Sequence, residues 1–126
     1  MRDELDAAFD AMVREQADGV GVLPDPLTFT ARSQVIALVA KHRLPEVYWQ
    51  REHVDSGGLI SYGANVADHS RRPAWYVDRI LKGAKPGDLP VEQAAKFELV
   101  MNLKTARVLG LTVPPSLLLC ADDVIQ

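Results

Sequence analysis

The chain has 126 residues, of which 48% are hydrophobic and 25% charged, as expected for one globular domain with its own core. A formal net charge of −3 argues against a nucleic-acid partner, and the single cysteine, Cys120, excludes an internal disulfide and a Cys-rich zinc site. Apolar runs fall short of a membrane span, and an acidic amphipathic helix stands where a secretion signal would begin. The sequence therefore predicts a cytoplasmic location if residue 1 is the natural start.

Hydrophobic periodicity divides the first half of the chain into alternating helices and strands. Apolar residues at helical spacing indicate amphipathic helices, and short apolar runs rich in β-branched residues indicate strands. In chain order, the predicted elements are a helix from Asp3 to about Glu15, a strand at Gly19–Leu23, a helix from Thr28 or Thr30 to His42, a strand within Leu44–Trp49, and a helical turn at Arg51–Asp55.

The same patterns continue through the second half. The predicted elements are a strand at Leu59–Tyr62, a helix at Val66–Leu81 interrupted by Pro73 or regular only from about Arg72, strands at Leu89–Gln93 and Phe97–Asn102, a helix at Leu103–Leu109, a last helical turn at Pro114-Pro115, and a tail from Asp122 to Gln126. Strands that alternate with helical crossovers predict an α/β fold, in which helices flank a parallel sheet on both faces.

Two strand ends carry candidate ligand-binding residues, because open α/β sheets bind ligands beyond the carboxyl ends of their strands. After the first strand, Asp25 and Phe29 accompany a helix N-terminus that could hold an anion. In the alternative interpretation Asp25 caps a turn and Phe29 packs inward. After the third strand, Tyr62 offers a ring and a hydroxyl, Gly63 can bend, and Asn65 can cap the next helix or reach a ligand.

A weaker candidate follows the second strand, where Tyr48 and Trp49 precede Arg51, Glu52 and His53. Adjacent aromatic rings with an arginine and a glutamate can line a pocket. The recognised nucleotide, hydrolase and metalloprotease motifs are absent from the sequence, and its histidines lack the spacing of metal ligands. We therefore expect no catalytic residues, no metal and no cofactor.

Longer strings in the second half are more specific. They are YVDRILKGAKPGDLPVEQ at 76–93, KFELVMNLKTAR at 96–107 and LGLTVPPSLL at 109–118. Together with GGLISYG at 57–63 and LPDP at 23–26, these strings closely resemble the C-terminal part of the ABC-transporter substrate-binding proteins that include tryptophan- and tyrosine-type members. The chain departs from the family pattern at Trp49-Gln50 and at Pro73, where an alanine is usual.

The resemblance implies a periplasmic-binding-protein fold of type I, with two α/β lobes that close on a small solute such as an amino acid. Residues 1–126 would form a single α/β domain, the C-terminal lobe plus the return segment, and so an incomplete version of a longer, periplasmic protein. Its partner would be an ABC permease. The resemblance places Gly63 at the hinge and assigns the cleft side chains, which are Asp25, Phe29, Tyr48, Trp49, Tyr62 and Asn65.

A second hypothesis is a shortened, self-associating α/β module with no transport or catalytic role. Half of a two-lobe protein leaves a sheet edge and apolar helix faces uncovered, and proteins usually cover such surfaces. A homodimer in which two chains complete each other, by exchanging the segment from Leu89 to Gln126, would provide that cover.

Overall fold

A computed structural model of the chain describes residues 2–92 and 96–126, apart from the side chains of residues 2, 3 and 66–69. The strands are β1 (Val20–Gly21), β2 (Glu46–Tyr48), β3 (Ile60–Ala64), β4 (Phe97–Asn102) and β5 (Asp123–Ile125). The helices are α1 (Arg2–Arg14), α2 (Pro26–Thr30), α3 (Arg32–His42), α4 (Arg51–Asp55), α5 (Val66–Leu81), α6 (Leu103–Leu109) and α7 (Pro115–Cys120), with a 3₁₀ turn at Pro86–Asp88.

The strands of the described residues form one five-stranded sheet in the order β1-β2-β3-β4-β5. β1, β2 and β3 are parallel, β4 runs antiparallel to β3, and β5 is parallel to β4. The predicted α/β class is therefore confirmed, with a sheet that is mostly parallel. Because β4 and β5 run against the first three strands, they begin at the sheet edge where β1, β2 and β3 end.

β3 and β4 extend past the rest of the sheet as a two-stranded ribbon. β2 pairs with β3 only as far as Tyr48 and Ser61. β3 continues to pair with β4 up to Ala64 and Phe97. Helix α5 follows the end of this ribbon on the β3 side, and the chain returns through β4. The ribbon thus connects α5 with the sheet.

The helix predicted from Thr28 or Thr30 to His42 is two helices. Asp25 caps α2, because its Oδ1 accepts a hydrogen bond from the backbone N–H of Leu27 at 2.7 Å. Pro26 follows at the first helical position, which suits its fixed φ. Ala31, at φ −88° and ψ 13°, separates α2 from α3. The helix therefore begins earlier than the two threonines suggested.

Two predictions for the second half are wrong. Leu89 to Glu92 form no strand, and Gln93 lies outside the described residues. Pro90 lacks the N–H that a sheet ladder needs, and the Val91 side chain is fully exposed. The predicted tail instead contains β5, whose Val124 pairs with Met101 of β4.

The core cluster around Tyr48 lies on one face of the sheet, and Met101 of β4, which is 1% exposed, is buried on the other face. Along β2, Glu46 and Tyr48 are buried, whereas Val47 between them is 48% exposed. Phe9 of α1 and Val39 of α3 belong to the same buried cluster as Tyr48. The opposite face is therefore open at β2, where the sequence led us to expect covering helices. Among the described residues, no helix is long and apolar enough to cross a membrane.

The burial of Glu46 predicts a pH-dependent stability. Its side chain is 2% exposed, and its Oε1 accepts a hydrogen bond from the backbone N–H of Leu59 at 2.9 Å. Burial raises the pKa of this carboxyl from 4.5 to about 7. The unfolded chain loses this proton near pH 4.5, but the folded chain keeps it until about pH 7. Glu46 therefore lowers the free energy of unfolding as pH rises from 4.5 to 7.

We expect Glu46→Gln to remove this dependence, because glutamine keeps the acceptor for Leu59 and carries no charge. The variant should be more stable than the wild type by about 2–3 kcal/mol at pH 8 and equally stable near pH 4. Urea unfolding across this pH range measures the difference, with exposed Glu15→Gln as the control. Equal stabilities of Glu46→Gln and the wild type at pH 8 would contradict the prediction.

Candidate ligand-binding site

A cavity of about 170 Å³ lies at the carboxyl edge of β2 and β3, where β4 begins. This is the edge at which open α/β sheets bind ligands. The loop after β2, the start of α4, the end of β3 and the start of β4 all contribute to its wall. The residues that line it are Trp49, Arg51, Glu52, Ser61, Gly63, Ala64, Asn65 and Glu98.

Beside this cavity, Arg51 forms hydrogen bonds to carboxylates of three different secondary-structure elements. Its Nε donates to Asp55 Oδ2 at 3.1 Å, its Nη1 to Glu98 Oε1 at 3.2 Å and its Nη2 to Asp123 Oδ2 at 2.6 Å. These carboxylates belong to α4, β4 and β5. Glu98 uses its other oxygen to accept from Asn65 Nδ2 at 3.2 Å. The network therefore joins the ends of β2 and β3 to the starts of β4 and β5.

The same network shifts the pKa values of its members. The hydrogen bond to Asp123, followed by the one to Asp55, raises the pKa of Arg51 above its ordinary value. The hydrogen bond from Arg51 lowers the pKa of Asp123 below its ordinary range. Both shifts favour the ionised pair, so the guanidinium charge is already balanced by carboxylates of this chain.

Other polar atoms at the cavity are buried without a partner among the described residues. They are Ser61 Oγ, Glu52 Oε2 and Trp49 Nε1. The Ser61 side chain is nearly fully buried, with 1% of its surface exposed. These three atoms have almost no accessible surface, so they lie within the cavity wall and do not open into the cavity.

Gly63 is required where β3 passes the end of β2. A Cβ at this position would lie 2.0 Å from the backbone oxygen of Trp49, a distance that no side chain can occupy. Gly63 lies within β3 and does not adopt a positive φ. The structure therefore explains this glycine by close packing against Trp49. The hinge role that the resemblance gave it stays a prediction.

The predicted aromatic residues meet around His53. The His53 ring stacks on Tyr48 with centroids 4.6 Å apart, and it lies 6.1 Å from Phe29 and 6.4 Å from Trp49. Tyr48 is 1% exposed, and burial raises the pKa of its hydroxyl. Burial also lowers the pKa of His53, which favours its neutral form. This cluster lies behind Trp49 and supports one wall of the cavity.

Two predicted site residues lie elsewhere. Asp25 is exposed and caps α2, which was the alternative interpretation of that residue. Tyr62 is 59% exposed and stacks on Phe97 at 5.5 Å. Because side chains alternate along a strand, Tyr62 faces away from the side of β3 that carries Ser61 and Gly63. Of the predicted residues, the cavity thus brings together Trp49, Gly63 and Asn65.

The sequence interpretation named Arg51 and Glu52 as residues that can line a pocket beside Trp49, and it missed Ser61, Glu98 and Asp123. Ser61 had one available signal, a polar residue at a buried position of an apolar strand. Glu98 and Asp123 had none, since they reach the site only through the antiparallel pairing of β4 and the addition of β5. Among the described residues there is no group of three or more His, Cys, Asp or Glu side chains that could hold a metal ion.

Comparisons with known proteins bear on the family and the fold. The family model described as ABC transporter substrate binding protein matches residues 2–125. Comparison with curated protein sequences gave no match. The crystal structure of a conserved domain protein from Vibrio cholerae is 28% identical, with a TM-score of 0.87 over 98% of this chain and 41% of its own.

Two further structures are similar. The ABC domain in complex with L-Trp from Streptococcus pneumoniae is 28% identical, with a TM-score of 0.87 over 98% of this chain and 43% of its own. A ligand-free, open substrate binding protein with adhesive properties from Clostridium difficile is 19% identical, with a TM-score of 0.69 over all of this chain and 42% of its own, and it supports the fold alone. This chain therefore spans less than half the length of these proteins.

The close packing of Gly63 against the Trp49 backbone predicts that adding a methyl group at position 63 lowers the stability of the fold. Gly63→Ala should lower the free energy of unfolding by about 1–3 kcal/mol, because its Cβ forces the backbones of β2 and β3 apart. Gly87→Ala is the matched control, since a Cβ there meets nothing within 4 Å and its φ is not positive. Urea unfolding of both variants measures the difference. Equal stability of the two variants would contradict the prediction.

Proposed function

Because this chain belongs to the ABC transporter substrate binding protein family, we propose that it binds a small solute for an ABC importer and has no catalytic role. The observation that carries this proposal is the cavity at the carboxyl edge of β2 and β3, whose wall combines the Trp49 ring with the polar side chains of Asn65 and Glu98. Solute sites are typically concave and hold a few well-placed polar groups. Trp49 and Asn65 would contact the solute directly, and Phe29 and Tyr48 would support Trp49 through His53.

In this proposal, residues 1–126 are the C-terminal lobe and the return segment of a two-lobe protein. The β3–β4 ribbon supports this assignment, because two strands that leave a sheet together are suited to connect lobes. Helix α5 beyond the ribbon exposes apolar side chains that a second lobe would cover, namely Trp75, Val77, Ile80 and Leu81. Gly63 and Tyr62 on the ribbon would then lie at the hinge.

The proposed mechanism is closure of two lobes on the solute. Contacts from both lobes stabilise the closed form, and the closed form docks on the ABC permease. Full-length members of the family act outside the cytoplasm, so we propose that the full-length form of this protein acts in the periplasm. A small solute such as an amino acid is the proposed ligand class, supported by the similar Streptococcus pneumoniae domain in complex with L-Trp.

Isothermal titration with aromatic and branched amino acids tests this function. We expect at least one of them to bind, and we expect Trp49→Ala, which removes the ring that lines the cavity, to weaken that binding about tenfold. Ala7→Leu on the exposed side of α1 is the control and should bind as the wild type does. The absence of binding to this chain, and to a longer version that carries a second lobe, would contradict the proposal.

The second candidate function, a self-associating module, is supported by an apolar groove. It has a volume of about 470 Å³ and lies between β1, β2 and β3 and the segment 111–117, on the face where Val47 is half exposed. If two chains cover this face for each other, light scattering should give a dimer, and Val47→Lys should give a monomer. Val108→Lys, at an exposed position of α6 that does not line the groove, should remain a dimer. A stable wild-type monomer that binds little apolar dye would contradict this alternative.

A further inference from the structure

His53 occupies a position that is unfavourable for a histidine. Its side chain is fully buried, and neither ring nitrogen has a partner at hydrogen-bonding geometry among the described residues. A buried polar group without a partner destabilises a fold, and a buried charge without one destabilises it far more. A phenylalanine would fill much the same space without this penalty, so the titratable ring itself points to a role.

Aromatic rings enclose His53 and separate it from solvent. Its ring stacks on Tyr48 with an angle of 16° between the two planes, and the Phe29 and Trp49 rings lie beside it. Tyr48 is buried, and burial raises the pKa of its hydroxyl, so this neighbour stays neutral. Phe29 and Trp49 are half-buried. They are therefore the rings that would have to move for water to reach His53.

The groups that face His53 determine which form of its ring is stable. Burial has the largest effect and lowers the pKa of His53, so the neutral ring prevails near neutral pH. Arg32 of α3 also lowers this pKa, whereas the backbone groups of Gln50 and Thr28 raise it, as does Glu52 of α4. Below its lowered pKa the ring gains a proton, and the fold must then accommodate a charge inside an aromatic cluster.

The charges on the two sides of this cluster favour a movement of Trp49. On one side, the guanidinium carbon of Arg32 lies 5.2 Å from the centre of the Phe29 ring, and its charge repels an imidazolium. On the other side, Glu52 and Trp49 line the cavity at the carboxyl edge of the sheet. A protonated His53 would therefore be drawn towards the cavity, against the ring of Trp49.

We propose that His53 makes solute binding depend on pH, because its neutral ring holds Trp49 at the cavity wall and its protonated ring displaces Trp49. His53 is then a positioning residue, which acts through Trp49 and does not touch the solute. This inference rests on the proposed solute-binding function and adds a regulation of the same cavity. Because coupling between two binding events is reciprocal, a solute that needs Trp49 in place disfavours the proton, and acid weakens binding.

Isothermal titration with L-tryptophan from about pH 7 to about pH 4.5 tests this dependence, since the charge of this ligand does not change over that range. We expect the affinity of the wild type to fall at least about fourfold as the pH is lowered. His53→Phe keeps an aromatic ring behind Trp49 and cannot titrate, so its affinity should change less than about twofold. His42→Gln is the control. His42 stacks on Phe9 and does not line the cavity, so this variant should keep the pH dependence of the wild type.

The ¹H–¹⁵N spectra of the wild type without ligand give a second measurement that needs no variant. The indole N–H signal of Trp49 should shift with the same midpoint as the ring signals of His53. The signal of Trp75, which lies on α5 and does not line the cavity, should not follow that midpoint. If His53 were only a packing residue, the Trp49 signal would stay constant until the chain unfolds.

The outcomes separate this inference from the proposed function. If His53→Phe keeps the pH dependence of the wild type, or if the Trp49 signal stays constant while His53 titrates, the inference is overturned and solute binding stands. If His53→Phe does not fold, the spectra of the wild type decide. If no amino acid binds at any pH, the proposed function fails and pH-dependent binding fails with it, even where the Trp49 signal follows His53.

Discussion

The reversal of strand direction between β3 and β4 is the constraint on which the site depends. β3 pairs in parallel with β2 on one side and antiparallel with β4 on the other. As a result, Glu98 at the start of β4 lies where Asn65 follows the end of β3, and the two side chains bond. A wholly parallel sheet would have placed Glu98 at the opposite edge. The reversal also creates the ribbon that leads to α5.

At the carboxyl edge, a frame of side chains joined by ion pairs lies beside polar atoms that have no hydrogen-bond partner. Arg51 and its three carboxylates connect α4, β4 and β5. Exposed ion pairs of this kind contribute little stability, so their main effect here is to fix positions. Beside this frame, Ser61 Oγ and Glu52 Oε2 lack partners among the described residues. The paired side chains therefore fix the position of the cavity wall in which these two buried atoms lie.

Local signals predicted the elements whose boundaries depend on neighbours in sequence. Helix α5 begins and ends where the pattern placed it, and β4 occupies the predicted residues. The predicted element boundaries were wrong where a single residue could take either of two structural roles. Asp25 proved to be a helix cap, which moved the helix start forward. Pro90 prevented a strand in an apolar stretch. The strand β5 formed in a polar tail because the backbone N–H and C=O groups along one side of β4 were available to pair with it.

From the sequence alone one could determine the α/β class, the family resemblance and the residues of the Tyr48–His53 run as candidates for a pocket wall. These depend on periodicity, turn residues and motif strings, all of which are local. The tertiary structure alone decided that Tyr62 faces away from the cavity, that Gly63 is packed against Trp49, and that Ser61, Glu98 and Asp123 belong to the site region. Such facts follow from strand register and pairing direction, and a shift of one residue in register would have reversed each of these faces.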